Sequence, residues 1–142
     1  MPVRSDEIKV GESRERVVVE DLKRTQIVQY AGASGDYNPL HTDHEFATGI
    51  AGYPGVFAHG MLTMGLTGRL LTDWFGRDSL LRFGVRFKAQ VWPGDTLTAT
   101  ATVEEITTDE GGSLAELSVR TVRQDGTEVV SGTAAVRLEG VA

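Results

Sequence analysis

The sequence predicts an α+β fold in which one antiparallel sheet curls around a single buried helix. Two observations carry this. Phe57–Gly76, "FAHGMLTMGLTGRLLTDWFG", is the longest uninterrupted apolar helix candidate, and its apolar residues spread around most of its circumference. From Leu81 onward the pattern changes to period two, in segments joined by tight turns, as in half-buried antiparallel strands. A sheet must bury one face, and this helix is the natural filling.

The elements follow in order. "RERVVVE" (Arg14–Glu20) is a β-branched run and predicts a strand. "DLKRTQIVQYAGASG" predicts a helix capped by Asp21 and ended by Gly32 and Gly35, with Leu22, Ile27 and Tyr30 on one face. "DHEFATGI" predicts a short helix, and "AGYPGV" a loop. The apolar helix carries Gly60, Gly65 and Gly68, each costing about 1 kcal/mol relative to alanine, so all three predict close approach of backbone, ligand or sheet. Leu81, Phe83, Val85 and Phe87 then alternate with Arg82, Gly84, Arg86 and Lys88. "PGD" (Pro93–Asp95) is a turn, and Leu97, Ala99, Ala101 and Val103 alternate with threonines in the next strand. "TTDEGGS" and "QDGT" are hairpin connectors, and "LAELSVRTVR" and "EVVSGTAAVRLE" are the last two of about five strands.

Composition narrows the function. The 142 residues amount to one domain, read as residues 1–142, and 40% hydrophobic with 24% charged residues is a globular balance. The absence of cysteine excludes disulfides and thiolate metal sites. The start lacks an apolar signal core and no apolar run reaches about 18 residues, so no membrane span and a cytoplasmic location are expected. A net charge of -6 argues against nucleic acid as the partner.

Chemistry concentrates in "ASGDYNPLHTDH" (Ala33–His44). Asp36 and His41 are an acid–base pair able to share a water, Asn38 could orient either through its amide, and Gly35 and Pro39 shape the turn. The same residue types also build ordinary surface turns. "AHGM" (Ala58–Met61) opens the apolar helix, where unpaired N–H groups and a glycine offer the anatomy of an oxyanion hole at Gly60. His59 there is either a packed histidine or a substrate contact. Arg82, Arg86 and Lys88 share a strand face. That face is either solvated or a cationic patch, with Arg86 the candidate contact for a carrier's phosphates. His41, Asp43, His44 and His59 could be metal ligands, but no third and fourth ligand follow "HTDH", so no metal is expected.

Three motifs in order, "YAGASGDYNPLHTD", "AHGMLTMG" and "VRFKAQVWPGDTL", closely resemble the MaoC-like, R-specific enoyl-thioester hydratase/dehydratase family over nearly the whole chain. Within it, the chain is most similar to the dyad-bearing subunit of mycolic-acid-type dehydratases. The resemblance implies a hot-dog fold, an antiparallel sheet wrapped around a long central helix. It implies that Asp36 and His41 activate water, that Asn38 positions them, and that the Gly60 N–H binds the thioester carbonyl. It further implies 2-enoyl substrates on coenzyme A or acyl carrier protein, no metal or redox cofactor, and a homodimer or a heterodimer with a related subunit. His44 reads as a bystander, and Met61, Met64 and Trp74 would line an acyl tunnel beside the central helix. Two competitors remain: a hot-dog thioesterase, disfavoured because Asp73 comes late in the helix, and a non-catalytic subunit, disfavoured because both dyad residues are present.

Overall fold

Alternation along the strands decides which side chains meet the helix. In the computed structural model, which describes residues 2–140, five strands form one sheet. They are β1 (Ser13–Val19), β2 (Leu80–Phe87), β3 (Leu97–Asp109), β4 (Gly112–Arg123) and β5 (Glu128–Leu138). Every neighbouring pair is antiparallel, in the order β1-β3-β4-β5-β2, so β1 and β2 are the edges. Leu97, Ala99, Ala101 and Val103 face inward and are fully buried, while the threonines between them face outward.

The central helix is α2, Gly60–Phe75, preceded in the chain by α1, Arg24–Ser34. Small residues on the sheet (Ala99, Ala101, Ala115, Ala134) share one core with large ones on α2 (Leu66, Leu70, Leu71, Trp74, Phe75). A fully buried side chain such as Phe75 or Leu71 contributes about 2 kcal/mol over an exposed one. This is the expected α+β hot-dog arrangement.

Several local expectations are corrected. Burial of α2 is not all-round: Met61, Gly65, Arg69 and Asp73 form an exposed stripe, because the curled sheet covers only part of the circumference. Of the three glycines, Gly60 and Gly68 lie under aromatic rings. A Cβ at Gly60 would sit 3.1 Å from the Phe87 ring, and one at Gly68 would sit 3.2 Å from Phe83. A Cβ at Gly65 would meet open space, so close approach explains two of the three. Asp21 does not cap α1; its φ is 49°, its N–H donates to Thr96 Oγ1, and Lys23 occupies the cap position. Gly32 stays inside α1, and Gly35 alone ends it, in the left-handed region. The predicted short helix does form, with Phe46–Ile50 wound as a π-helix.

No helix among the described residues is long and apolar enough to cross a membrane.

Candidate active site

Two loops bring the site together. Gly35 (φ 76°) turns the chain out of α1, and its N–H closes on Ala31 O at 3.0 Å. Asp36 follows in a turn held by its own side chain, since Asp36 Oδ1 accepts from Asn38 N–H at 3.2 Å. Asn38 Oδ1 in turn accepts from Leu40 N–H at 3.0 Å, capping a short 3₁₀ turn, Pro39–His41, with proline at its first position. Asn38 therefore shapes the turn through its backbone N–H, given to Asp36, and its side-chain amide oxygen, which meets Leu40 N–H and neither member of the pair.

The second loop, which leads into α2, is bound to the first. Phe57 N–H donates to Leu40 O at 3.3 Å, and His41 Nδ1 lies 2.7 Å from Phe57 O. A carbonyl only accepts, so Nδ1 carries the hydrogen and Nε2 of a neutral His41 is a bare lone pair. That Nε2 faces Asp36 Oδ2 at 4.0 Å. The gap is too long for a direct hydrogen bond and is of the size that a shared water spans. The His41 side chain is only 10% exposed, while that of Asp36 is 53% exposed and lines a cavity.

That cavity has a volume of about 370 Å³. His59, Gly60, Met61 and Thr63 form one wall, and Phe87, Lys88, Val129 and Val130 another. α2 begins at Gly60, so the Gly60 and Met61 N–H groups have no intrahelical acceptor and carry the positive end of the helix dipole. His59 is 2% exposed; its ring stacks on His41 at 3.8 Å between centroids, and its Nε2 lies 3.0 Å from Asp36 O.

The structure thus gathers Asp36, Asn38, His41, His59, Gly60 and Met61. It does not bring Arg86 to them. Phe87 faces the cavity, and the alternation of β2 sends Arg86 to the opposite side of the sheet, into a polar groove of about 660 Å³ with Thr100, Ser118 and Arg120. Lys88, expected on the same face as Arg86, lies beyond the end of β2 and lines the cavity, paired with Glu128 at 2.8 Å. Met64 and Trp74 do not line the cavity; Trp74 is 14 residues past Gly60, about 21 Å along the helix. His44 is exposed. Thr63, Val129 and Val130 escaped the sequence reading, and Lys88 was read only as part of the strand face. A strand that stops at Phe87 could have been suspected from the Pro93–Gly94 turn just beyond it.

Asp36, His41 and His59 offer ligand atoms within 4.8 Å of one another. The two imidazoles stack at 24°, and one nitrogen of each meets a backbone carbonyl, His41 Nδ1 that of Phe57 and His59 Nε2 that of Asp36.

Residues 6–126 match the family model described as a MaoC like domain. The chain belongs to this family. It is 35% identical over 115 residues to the (R)-specific enoyl-CoA hydratase of Aeromonas caviae, covering 80% of this chain and 84% of that protein. The solved (R)-hydratase from A. caviae superposes with a TM-score of 0.83 at 30% identity, over 95% of this chain and all of that one. The 3-hydroxyacyl-thioester dehydratase Y of Mycobacterium tuberculosis is 43% identical over 68 residues, 46% of this chain. This chain spans 23% or less of that protein and of two other curated relatives it matches.

Proposed function

We propose that this MaoC-like chain adds water across the double bond of trans-2-enoyl thioesters, carried on coenzyme A or acyl carrier protein, and runs the reverse dehydration. The observation that carries this is the pairing of two acceptors, His41 Nε2 and Asp36 Oδ2, at 4.0 Å beside a helix N-terminus with free N–H groups. A water between two acceptors gives one O–H to each and presents its lone pair outward. With the thioester oxygen on the Gly60 N–H, the β-carbon becomes electrophilic. The water oxygen bonds to it, its proton passes to His41 Nε2, and the enolate oxygen gains charge at Gly60. One preorganised donor of this kind is worth roughly 3–4 kcal/mol in measured acyl-transfer enzymes. The imidazolium formed beside the Asp36 carboxylate then holds the proton that the α-carbon takes up, restoring the carbonyl. Addition to give the R-3-hydroxy product follows the specificity in the relatives' names. No step calls for a metal or redox cofactor.

The assembly we propose is a dimer with a second hot-dog subunit, identical or related. β2 is an open edge, and Leu81, Phe87 and Met61 beside it are exposed apolar groups. The proposed location is the cytoplasm.

Purified protein with crotonyl-CoA tests the reading. Enoyl absorbance should fall without release of free thiol. Asp36→Asn and His41→Ala should each lower kcat by about 10²–10⁴ with unchanged thermal unfolding, the range for losing a positioned acid–base group. Wild-type rates in either variant would refute the dyad. Thiol release with the enoyl absorbance intact would make the protein a thioesterase.

A further inference from the structure

His59 makes two contacts that converge on the acid–base pair, and neither is required for folding a helix N-terminus. It occupies the cap position of α2, yet its side chain does not cap the helix. It turns instead toward the first loop, where the ring lies 3.0 Å from Asp36 O through Nε2. A carbonyl only accepts, so Nε2 carries the hydrogen and Nδ1 is bare. That Nδ1 is buried with no hydrogen-bond partner, an arrangement a packed core histidine normally avoids. One ring face lies against His41 at 3.8 Å, and Tyr30 meets His59 edge-on at 4.8 Å.

The consequence is geometric. The Asp36 side chain is half exposed, and its turn is held through short local bonds, so little else fixes its distance from the second loop. His41 is tied to the second loop by its bond to Phe57 O. The bond from His59 Nε2–H to Asp36 O is therefore a direct tie between the start of α2 and the residue carrying the carboxylate. The same ring sets the plane of His41. Both members of the pair, and Gly60 next in sequence, are referenced to one buried side chain.

We infer that His59 is a positioning residue that fixes the 4.0 Å separation of Asp36 Oδ2 from His41 Nε2 relative to the Gly60 N–H. This role rests on the hydratase reading above. It differs from a substrate contact through Nε2, because that N–H is spent on the protein's own carbonyl.

Two variants divide the possibilities. His59→Gln keeps an N–H donor at about the reach of Nε2 and removes the ring. His59→Phe keeps the ring's bulk and stacking face and removes the donor. A packing role ranks Phe above Gln; a positioning role ranks Gln above Phe. We expect His59→Phe to lose about 100-fold in kcat, the cost of roughly 1 Å of misplacement, with KM changed less than threefold. His59→Gln should retain at least a tenth of the wild-type kcat. In an Asp36→Asn background His59→Phe should cost almost nothing more, since residues acting as a unit are not additive. This cycle also serves if the glutamine variant fails to fold. Phe equal to or faster than Gln, a raised KM at unchanged kcat, or additive losses in the cycle would each overturn the inference. Wild-type rates in Asp36→Asn alone would instead overturn the acid–base reading, and this role with it.

Discussion

Replacing Thr67 or Thr121 with valine should cost unequally, and removing both should cost less than removing Thr67 alone. Thr67 on α2 and Thr121 on β4 are buried, with their hydroxyl oxygens 2.6 Å apart. Thr67 Oγ1 also lies 2.9 Å from Thr63 O, a carbonyl that must accept. The single Thr67 hydroxyl hydrogen therefore goes to Thr63 O, and Thr121 donates to Thr67. Thr67→Val leaves the Thr121 O–H buried with no acceptor, a loss of about 1–3 kcal/mol. Thr121→Val leaves Thr67 still donating and deprives it only of a hydrogen to accept, which should cost under about 1 kcal/mol. In the double variant two β-branched groups of similar shape meet, and the cost should fall below that of Thr67→Val. For a chain of this size 1 kcal/mol moves the thermal midpoint by about 3–4 °C, so thermal and urea unfolding resolve the ranking. A Thr121→Val loss exceeding that of Thr67→Val, or a double variant equal to the sum, would refute the assigned hydrogen positions. The pair matters beyond stability, because it ties the middle of α2 to the sheet at one register and so fixes where Gly60 begins the helix.

Gly132→Ala should destabilise the fold by about 3 kcal/mol, the upper end for overpacking. A Cβ there would run into Gly84 O and come within 2.7 Å of Val85 Cα, backbone atoms that cannot rotate aside, and thermal unfolding measures the loss. A midpoint within a degree of wild type would show that β2 can move away from β5. Asp125 accepts from the Thr127 backbone N–H first and from the Thr127 and Arg123 side chains, which lowers its pKa from 3.8 to about 2. A depressed folded-state value stabilises above the unfolded pKa and is lost as pH falls through the folded one. Wild type should therefore be more stable than Asp125→Asn above pH 4, and the difference should vanish as pH falls toward 2. A pH-independent difference would place the effect elsewhere.

The sheet was legible because period two needs only a few residues to declare itself: Leu97, Ala99, Ala101 and Val103 named their face without any partner. The circumference of α2 was not, because burial of a helix face depends on how far a sheet curls, and that is a tertiary quantity. Met61 and Gly65 look as apolar as Leu62 and Leu66 in sequence, yet the first two are exposed and the second two buried. Arg86 and Lys88 failed for a related reason. Alternation predicts a shared face only while the strand continues, and β2 stops at Phe87. Asp36, Asn38 and His41 were legible as candidates because Gly35 and Pro39 mark a built turn around them. The use of His59 was hidden, since its partner is a backbone carbonyl 23 residues earlier, and carbonyls leave no trace in side-chain identity.

A thioesterase built on the same fold would use a carboxylate on or beside the central helix. The helix carboxylate here is Asp73, 13 residues past Gly60 and so about 20 Å along the axis. It is exposed, pairs with Arg16 of β1, and lines a separate groove with Arg14 and Trp74. The carboxylate at the Gly60 cavity is Asp36, delivered by a loop and accompanied by an imidazole whose bare nitrogen faces it. A carboxylate alone would suffice to attack a carbonyl or to activate one water against it. Two acceptors set 4.0 Å apart do more: they can share both hydrogens of one water, and the carboxylate stabilises the imidazolium that forms when His41 takes one of them. Asp36 stands at the Gly60 cavity with His41 beside it, whereas Asp73 lies about 20 Å along the axis, too far to act on a thioester held there.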